Sequence, residues 1–399
     1  MPLANTPTRY GAVTKSFHWL TALLIFSLIP LGIIANDMPY DTSEQLARKA
    51  LFFSLHKTLG VTMFFVALAR IAWALSQPKP GLLHADRKLE SWAAETAHWL
   101  LYGSLVLVPL SGWVHHAATT GFAPIWWPFG QSLPFVPKSV ELAEVTAGLH
   151  IVFERVLIVT LIAHVAVALK HHFIDRDATL RRMLPGRAEI PEVSQNHSVL
   201  MPILTALVVW VAALFAGATL GVYHDETTDP QVAALDDVSS DWQVQDGQIQ
   251  ITVQQMGSAV TGSFADWTAA ISFDESVQEG PAGEVEVTIS IGSLTLGSVT
   301  DQAMGPDFFN LDNFPTATFT AAIVASGADY IAEGTLTIKD QSVPVTLPFT
   351  LQITDGLAQM QGALTLDRRD FAIGDNMKDE ASLGNSVAVD VSLTAQKAE

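Results

Sequence analysis

Apolar positions along the first 223 residues come in continuous runs, not in alternation with polar ones. Five runs stand out, roughly 16–36, 51–75, 92–119, 144–173 and 199–223. Each is about 20 residues or more, the helix length that crosses a hydrocarbon core about 30 Å thick, so each predicts a membrane-spanning helix. Beyond about residue 241 the pattern changes to a period of two, with short alternations separated by Gly, Asp, Asn and Pro. ITVQQ, AVTGSF, AAISFD, EVEVTISIGSLTLGSV, ATFTAAIVA, YIAEGTLTIK, VPVTLPFTLQI, AQMQGALTLD and VAVDVSLTAQ all read as strands. Serial strands with no helical pattern between them predict a barrel or sandwich, and their inward apolar residues can enclose an apolar cavity. The expected fold class is an α-helical transmembrane bundle, four helices plus one anchor helix, followed by an all-β antiparallel barrel.

Charge divides the chain at the same place. Residues 1–222 hold 16 Lys+Arg and 13 Asp+Glu, a balance of +3; residues 223–399 hold 5 and 27, a balance of −22. All 12 histidines lie at or before His224. The stretch YHDETTDPQVAALDDVSS is acidic and aperiodic, and reads as a linker. The expected organisation is a membrane domain over 1–190, a fifth anchor helix over 191–223, an acidic linker over 224–240 and a β-barrel over 241–399. The absence of cysteine excludes disulfides, iron–sulfur clusters and thiolate chemistry. An acidic tail and the lack of a basic stripe argue against nucleic acid. No small-residue cleavage signature precedes a short apolar core, so the N-terminus reads as leading into a retained helix.

Cations in short loops set the orientation. Arg9 and Lys15 precede the first run; Lys79, Arg87 and Lys88 lie between the second and third; Lys170, Arg176, Arg181, Arg182 and Arg187 lie between the fourth and fifth. The opposite loops carry Arg48, Lys49 and Lys138. The N-terminus is therefore expected inside and everything after Tyr223 outside.

Ionisable groups at membrane depth are costly and read as functional. His150 and His164 lie inside the fourth run, fourteen residues apart. That spacing is a rise of about 21 Å and a rotation some 40° short of four turns, so both imidazoles project from nearly one face, one near each side of the membrane. A neutral imidazole is a good ligand for haem iron. His18 opens the outward-running first helix and shares the inner depth of His164. His56 opens the inward-running second helix and shares the outer depth of His150. Two bis-histidine sites are expected, His18/His164 for an inner haem iron and His56/His150 for an outer one. Taken singly, each histidine also suits a helix–helix hydrogen bond, and zinc would lack nearby carboxylate or thiolate co-ligands. Four histidines in two depth-matched pairs favour haem.

Arg70 lies fourteen residues beyond His56, at the depth of the inner pair, and is a candidate partner for a haem propionate, against simple snorkelling. Glu154 and Arg155 read as paired with each other or with the outer haem. His84 and His197 read as loop residues and His98 as a bundle-interior group. His115, His116, His171 and His172 read as interfacial. The last two return to the face of His164, as a solvated helix end or as a proton-relay or propionate contact.

SFHWL around His18, LHKTLG around His56, the His150–His164 spacing and the closing run KHHFIDRDATLRRMLPGR carry a resemblance. Over roughly residues 8–187 the chain resembles the bacterial cytochrome b561 family of di-haem four-helix electron carriers. The resemblance implies two b-type haems on His18, His56, His150 and His164, in a bacterial inner (cytoplasmic) membrane. It further implies electron transfer between quinone in the bilayer and a partner at the outer, periplasmic face. For some family members the reaction is superoxide oxidation coupled to ubiquinone reduction. The fifth helix departs from the four-helix pattern and is expected to tether the β half.

The β half holds no histidine and no cysteine, and no catalytic set emerges from its residues. Arg368-Arg369-Asp370 reads as a surface or barrel-rim ion pair. Val260-Thr261-Gly262-Ser263-Phe264, Ile271-Ser272-Phe273-Asp274, Asp307-Phe308-Phe309, Phe314-Pro315-Thr316-Ala317-Thr318-Phe319, Leu336-Thr337-Ile338, Pro344-Val345 and Arg369-Asp370-Phe371 with Gly374 occur in an order that resembles the YceI-like family of lipocalin-like, isoprenoid-binding barrels, over about 241–396. SVTDQAMGP before Asp307, and Lys339-Asp340 after Ile338, depart from the family's usual pattern. The resemblance implies a long prenyl chain in the barrel, an isoprenoid lipid or the tail of a quinone.

The expected function is a quinone-linked membrane oxidoreductase that moves electrons between the periplasmic side and the quinone pool. Superoxide is the leading donor and ubiquinone the leading acceptor. One alternative runs electrons from quinol to another periplasmic acceptor. Another, of a different class, is a lipid- or quinone-binding carrier without turnover.

Overall fold

Each apolar run folds as a helix in the computed structural model, which describes all residues except 1, 120, 187–192, 195–198, 224–232, 237, 328 and 399. His197, His224, most of the expected linker over 224–240 and the expected boundary at residue 190 lie outside the described residues. Among the described residues, α1 (Ala12–Asp37), α2 (Ser43–Leu75), α3 (Lys88–Ala118), α4 (Val140–Lys170) and α5 (Leu200–Thr219) are long and apolar enough to cross a membrane. The chain is a membrane protein. It divides into a helical unit and a β unit.

α2 starts eight residues before its apolar run because polar residues cap it. Gln45 N–H donates to the Thr42 hydroxyl at 3.3 Å, and the Gln45 side chain accepts from Thr42 N–H at 3.2 Å, a reciprocal capping box that hydropathy does not register. α4 is capped by Ser139, whose hydroxyl accepts from Leu142 N–H at 3.2 Å. At its other end α4 widens into a π-turn, His171–Asp175, and stops at Arg176 in the left-handed region, φ 55°.

Ile25 of α1, Met63 and Ala67 of α2 and Leu105 of α3 are buried together, with Leu161 of α4 packed against them. Trp210 of α5 meets Phe153 of α4 edge to face, ring centres 5.2 Å apart. Phe26, Val159, Val211 and Phe215 are exposed, as lipid-facing residues must be when the surrounding solvent is hydrocarbon.

The β unit comprises β1 (Trp242–Gln255), β2 (Ser258–Phe264), β3 (Trp267–Phe273), β4 (Glu279–Ser290), β5 (Leu294–Thr295), β6 (Thr316–Ser326), β7 (Asp329–Ile338), β8 (Gln341–Thr354), β9 (Leu357–Asp367) and β10 (Leu383–Lys397), with a short helix α6 (Thr300–Met304) after β5. The described strands form one antiparallel sheet in the order β3-β4-β6-β7-β8-β9-β10-β1-β2-β5. β1 pairs with β10 from Trp242↔Lys397 to Gln255↔Leu383, so the first and last strands lie side by side. Asp241 N–H donates to Ile271 O of β3 at 2.9 Å, drawing one edge of the sheet towards the start of β1. The result is a curled, lipocalin-like sheet.

The long strand expected from EVEVTISIGSLTLGSV is broken at Ser290. Ile291 N–H turns to Pro315 O at 2.9 Å, while the Ser293 hydroxyl donates to Ser290 O at 2.8 Å and accepts from Asp266 N–H at 3.0 Å. Those bonds replace the ladder and allow Ile291, Leu294 and Leu296 to be buried together.

Candidate functional site

α1 begins, α2 ends, α3 begins and α4 ends at one end of the helical unit. Lys15 Nζ donates to Leu184 O at 2.8 Å, and Trp73 Nε1 donates to the Thr14 hydroxyl at 3.1 Å. Near this end the imidazoles of His18 and His164 face each other, ring centres 6.4 Å apart and planes inclined at 58°. Two imidazoles bound to one metal at about 2 Å per bond have ring centres roughly 6 Å apart, so the spacing of this pair fits residues that would share one haem iron. His98 of α3 also reaches this place, its ring 5.4 Å from that of His164. Arg70 of α2 donates to the Thr21 hydroxyl, and its guanidinium lies 5.3 Å from the centre of the Tyr102 ring.

His56 and His150 lie nearer the other end, close enough to interact electrostatically. Each is held by the same device. His56 Nδ1 is 3.0 Å from Leu28 O, and His150 Nδ1 is 2.8 Å from Val108 O. When Nδ1–H donates to a carbonyl, the other nitrogen, Nε2, keeps its lone pair for a ligand. Four residues beyond each carbonyl stands a glycine. A Cβ on Gly32 would lie 2.9 Å from His56 Cε1, and one on Gly112 would lie 3.0 Å from His150 Cε1. The missing side chain is what lets each imidazole approach the neighbouring helix so closely.

Lys57 is a further group at this end that the sequence pattern did not single out. It is 7% exposed although it lies in a membrane-spanning helix, and it is within electrostatic reach of His56, His115 and His116. An ionisable group inside an apolar run is the signal that marks the histidines, and it applies equally to this lysine. His115 Nδ1 lies 2.8 Å from Ala143 O, and its ring is 4.6 Å from that of His116. Arg155 and Glu154 approach each other at 3.6 Å, with the arginine largely exposed. His84 is in contact with the end of α4, through Asp177 at 2.8 Å.

The curled sheet surrounds a cavity of about 290 Å³ lined by apolar side chains, among them Ile251, Val287, Phe319, Leu347 and Met360. Alternate residues of successive strands supply this lining, as the period-two pattern requires. Arg368 also borders it. Expected as part of a surface or rim pair, Arg368 is instead 4% exposed, and it donates to Gly384 O, Ile373 O, Gly374 O, Met377 O and Leu383 O at 2.6–3.3 Å. Arg369 forms the surface pair, with Asp367. The Arg369 side chain holds the Asp367 carboxyl down at about 2.

Residues 9–186 match the prokaryotic cytochrome b561 family and residues 242–395 the YceI-like domain. Cytochrome b561 homolog 2 of Escherichia coli (strain K12) is 31% identical over 188 residues, covering 46% of this chain and 95% of that protein. A protein of Yersinia pestis named probable superoxide oxidase CybB is 25% identical over 180 residues, covering 45% of this chain and 97% of its own. Among solved structures, Burkholderia cenocepacia BcnA is 30% identical with a TM-score of 0.36, covering 38% of this chain and 96% of that one. A family whose members are b-type cytochromes matches helices that bring imidazoles together in pairs, and it makes the protein an electron-transfer oxidoreductase in class. This chain belongs to the prokaryotic cytochrome b561 family over its helical unit and continues into a YceI-like domain.

Proposed function

We propose that the helical unit binds two b haems, one between His18 and His164 and one between His56 and His150, and links the periplasmic side of a bacterial inner membrane to its quinone pool. The observation that carries this reading is the 6.4 Å spacing of the His18 and His164 rings, supported by the matching carbonyl–glycine seats of His56 and His150. Haem bound at these places supplies one-electron chemistry at two depths of the bilayer. The protein's own part is to hold the four Nε2 atoms in position, to exclude water with apolar side chains, and to place the Arg70 guanidinium near the inner pair. The four histidines would hold haem through imidazole nitrogen alone, a ligand set that would suit electron transfer rather than oxygen activation.

The reaction favoured is superoxide oxidation coupled to ubiquinone reduction. Two superoxide ions give up one electron each, and quinone takes those two electrons and two protons to become quinol. The name of the Yersinia pestis relative supports this donor. The N-terminus is read as cytoplasmic and the YceI-like domain as periplasmic, from the loop cations. The apolar cavity in the β unit suits a prenyl chain, of an isoprenoid lipid or of the quinone itself.

One observation favours a second reading. Residues 223–399 carry a balance of −22, which repels an anion approaching from that side. Quinol oxidation with delivery to another periplasmic acceptor needs no anion capture. Stopped-flow mixing of the purified, oxidised protein with superoxide and ubiquinone separates the two. Rapid haem reduction followed by quinol formation is expected, with both lost in His150→Ala and His164→Ala. Haem reduction by quinol but not by superoxide would reverse the assigned direction. Fewer than two six-coordinate haems in the absorption spectrum would remove the di-haem assignment.

A further inference from the structure

The π-turn at the end of α4 and the left-handed Arg176 after it do more than stop the helix. They turn His171, Asp175 and Asp177 towards one point, and the segment between α2 and α3 brings His84 to the same point. π-turns recur at functional sites because the extra residue per turn re-aims side chains that a regular helix would spread apart.

His171 Nδ1 lies 2.6 Å and His84 Nε2 lies 2.8 Å from the same oxygen, Asp177 Oδ2. The two imidazoles are parallel within 11°, their centres 5.9 Å apart. One donor atom from each of the three residues lies within 4.8 Å of the other two. The other carboxylate oxygen, Oδ1, accepts from Thr179 N–H at 2.8 Å, which fixes Oδ2 towards the imidazoles. Burial alone would raise the Asp177 carboxyl, but hydrogen bonds from Thr179, His84 and His171 outweigh it and hold the group at about 2.

His171 is 7% exposed, whereas His84 keeps a 31% exposed side chain that opens the cluster to solvent. The neighbouring cations serve other groups. Lys170 pairs with Asp175 and Glu90 at 2.9 Å, and Arg87 with the same two at 3.3 Å. A second overlapping set, Glu90, His171 and Asp175, therefore has both carboxylates already paired with cations. The Asp177 carboxylate instead has the two imidazoles as hydrogen-bond partners, with no Lys or Arg paired to it among the described residues.

We propose that His84 Nε2, His171 Nδ1 and Asp177 Oδ2 form a binding site for one divalent transition-metal ion of the zinc class, with water in the fourth position. Two imidazoles and one carboxylate are a ligand set that zinc accepts, and an open fourth position is usual for a three-residue site. Donors in a tetrahedral site with bonds of about 2.0–2.1 Å stand roughly 3.3 Å apart. The present 2.6 and 2.8 Å contacts therefore have to open by about 0.7 and 0.5 Å, which is within reach of side-chain rotation. Loading would tie the segment after α2 to the end of α4, seven residues beyond His164. The site stands apart from the four histidines of the proposed haem positions, and its existence does not depend on which electron donor the protein uses.

The test uses the full-length protein in detergent, without a histidine tag, stripped with a chelator and titrated with zinc chloride by calorimetry. Metal content and the zinc K-edge absorption spectrum are then measured. One zinc per chain is expected, bound with a Kd below about 10 µM and with two imidazoles in its shell. His84→Gln and Asp177→Asn should each weaken binding tenfold or more while the haem absorption spectrum stays that of the parent. Binding unchanged in both variants, or a zinc shell without imidazole, would overturn the site. So would the absence of binding in the parent. The unaltered haem spectrum serves as the folding control, and the partly exposed His84 is the variant least able to disturb the bundle.

Discussion

The Arg70 guanidinium donates to the Thr21 hydroxyl, which itself donates to Phe17 O and His18 O at 2.8 and 2.9 Å. A cation on α2 is thereby tied to the turn of α1 that carries His18. Thr21 is 1% exposed, so this connection is sheltered from water and a charge there acts over a low dielectric.

A positive charge near a haem stabilises its reduced form. Arg70→Gln is expected to lower the midpoint potential of the haem assigned to His18 and His164, by about 60 mV, or about 1.4 kcal/mol for one electron. The haem assigned to His56 and His150 should move far less. Spectroelectrochemical titration resolves the two, and equal shifts in both would show that Arg70 does not act at the inner pair.

The carbonyl–glycine seats predict position-specific losses. Gly32→Ala places a methyl against His56 Cε1, and Gly112→Ala does the same at His150. Each is expected to disturb haem binding at the outer pair and to leave the haem of His18 and His164 in place. Haem per chain, from the pyridine haemochrome spectrum, should fall from about two towards one. Full loading with an unchanged spectrum in both variants would mean that the seats tolerate a methyl group.

Arg368 predicts a stability effect in the β unit. Replacing it by Met leaves several buried carbonyls without their donor, each a cost of about 1–3 kcal/mol before relaxation. A net loss of about 3 kcal/mol is expected, which for a domain of this size lowers the melting temperature of the β unit by roughly 6–12 °C. Scanning calorimetry of the full-length protein reads this. Arg369→Met should lower it less, because its partner Asp367 is partly exposed and solvent screens the pair.

The same pair predicts acid sensitivity with a definite sign. The Asp367 carboxyl is held at about 2 against an ordinary value of 3.8, chiefly by the Arg369 side chain. A carboxylate depressed in the folded state contributes stability that is fully present above its unfolded value and disappears as pH falls through the folded one. The contribution should therefore be constant above about pH 4 and vanish by about pH 2. Asp367→Asn should abolish that part of the acid dependence. Thermal unfolding in detergent between pH 2 and 6 checks it, and an identical acid profile in the variant contradicts the assignment.

Hydropathy and periodicity are local properties, and the features that depend on them were legible in the chain itself. A helix must bury its backbone polarity within one segment to enter a membrane, so the five spans follow from composition alone. A strand alternates because its side chains alternate, so the β unit could be recognised without knowing which strand pairs with which. That His18 meets His164, and that His56 lies near His150, follows from helix rise and direction. Groups brought together from distant parts of the chain were not legible. LHKTLG marks Lys57 as an ionisable group in an apolar run but does not show that it comes within reach of His115 and His116, and nothing in AETAHWL indicates that His98 comes within 5.4 Å of His164. Arg368 reads as a surface charge until the carbonyls of residues 373–384 close around it. Leu28 O and Gly32 become a seat for His56 only when α1 meets α2, and His84 reaches Asp177, 93 positions away, only when the loop after α2 meets the end of α4. Such contacts depend on how whole helices and strands pack, because burial, hydrogen-bond partners and close approach belong to pairs of elements and not to either one alone.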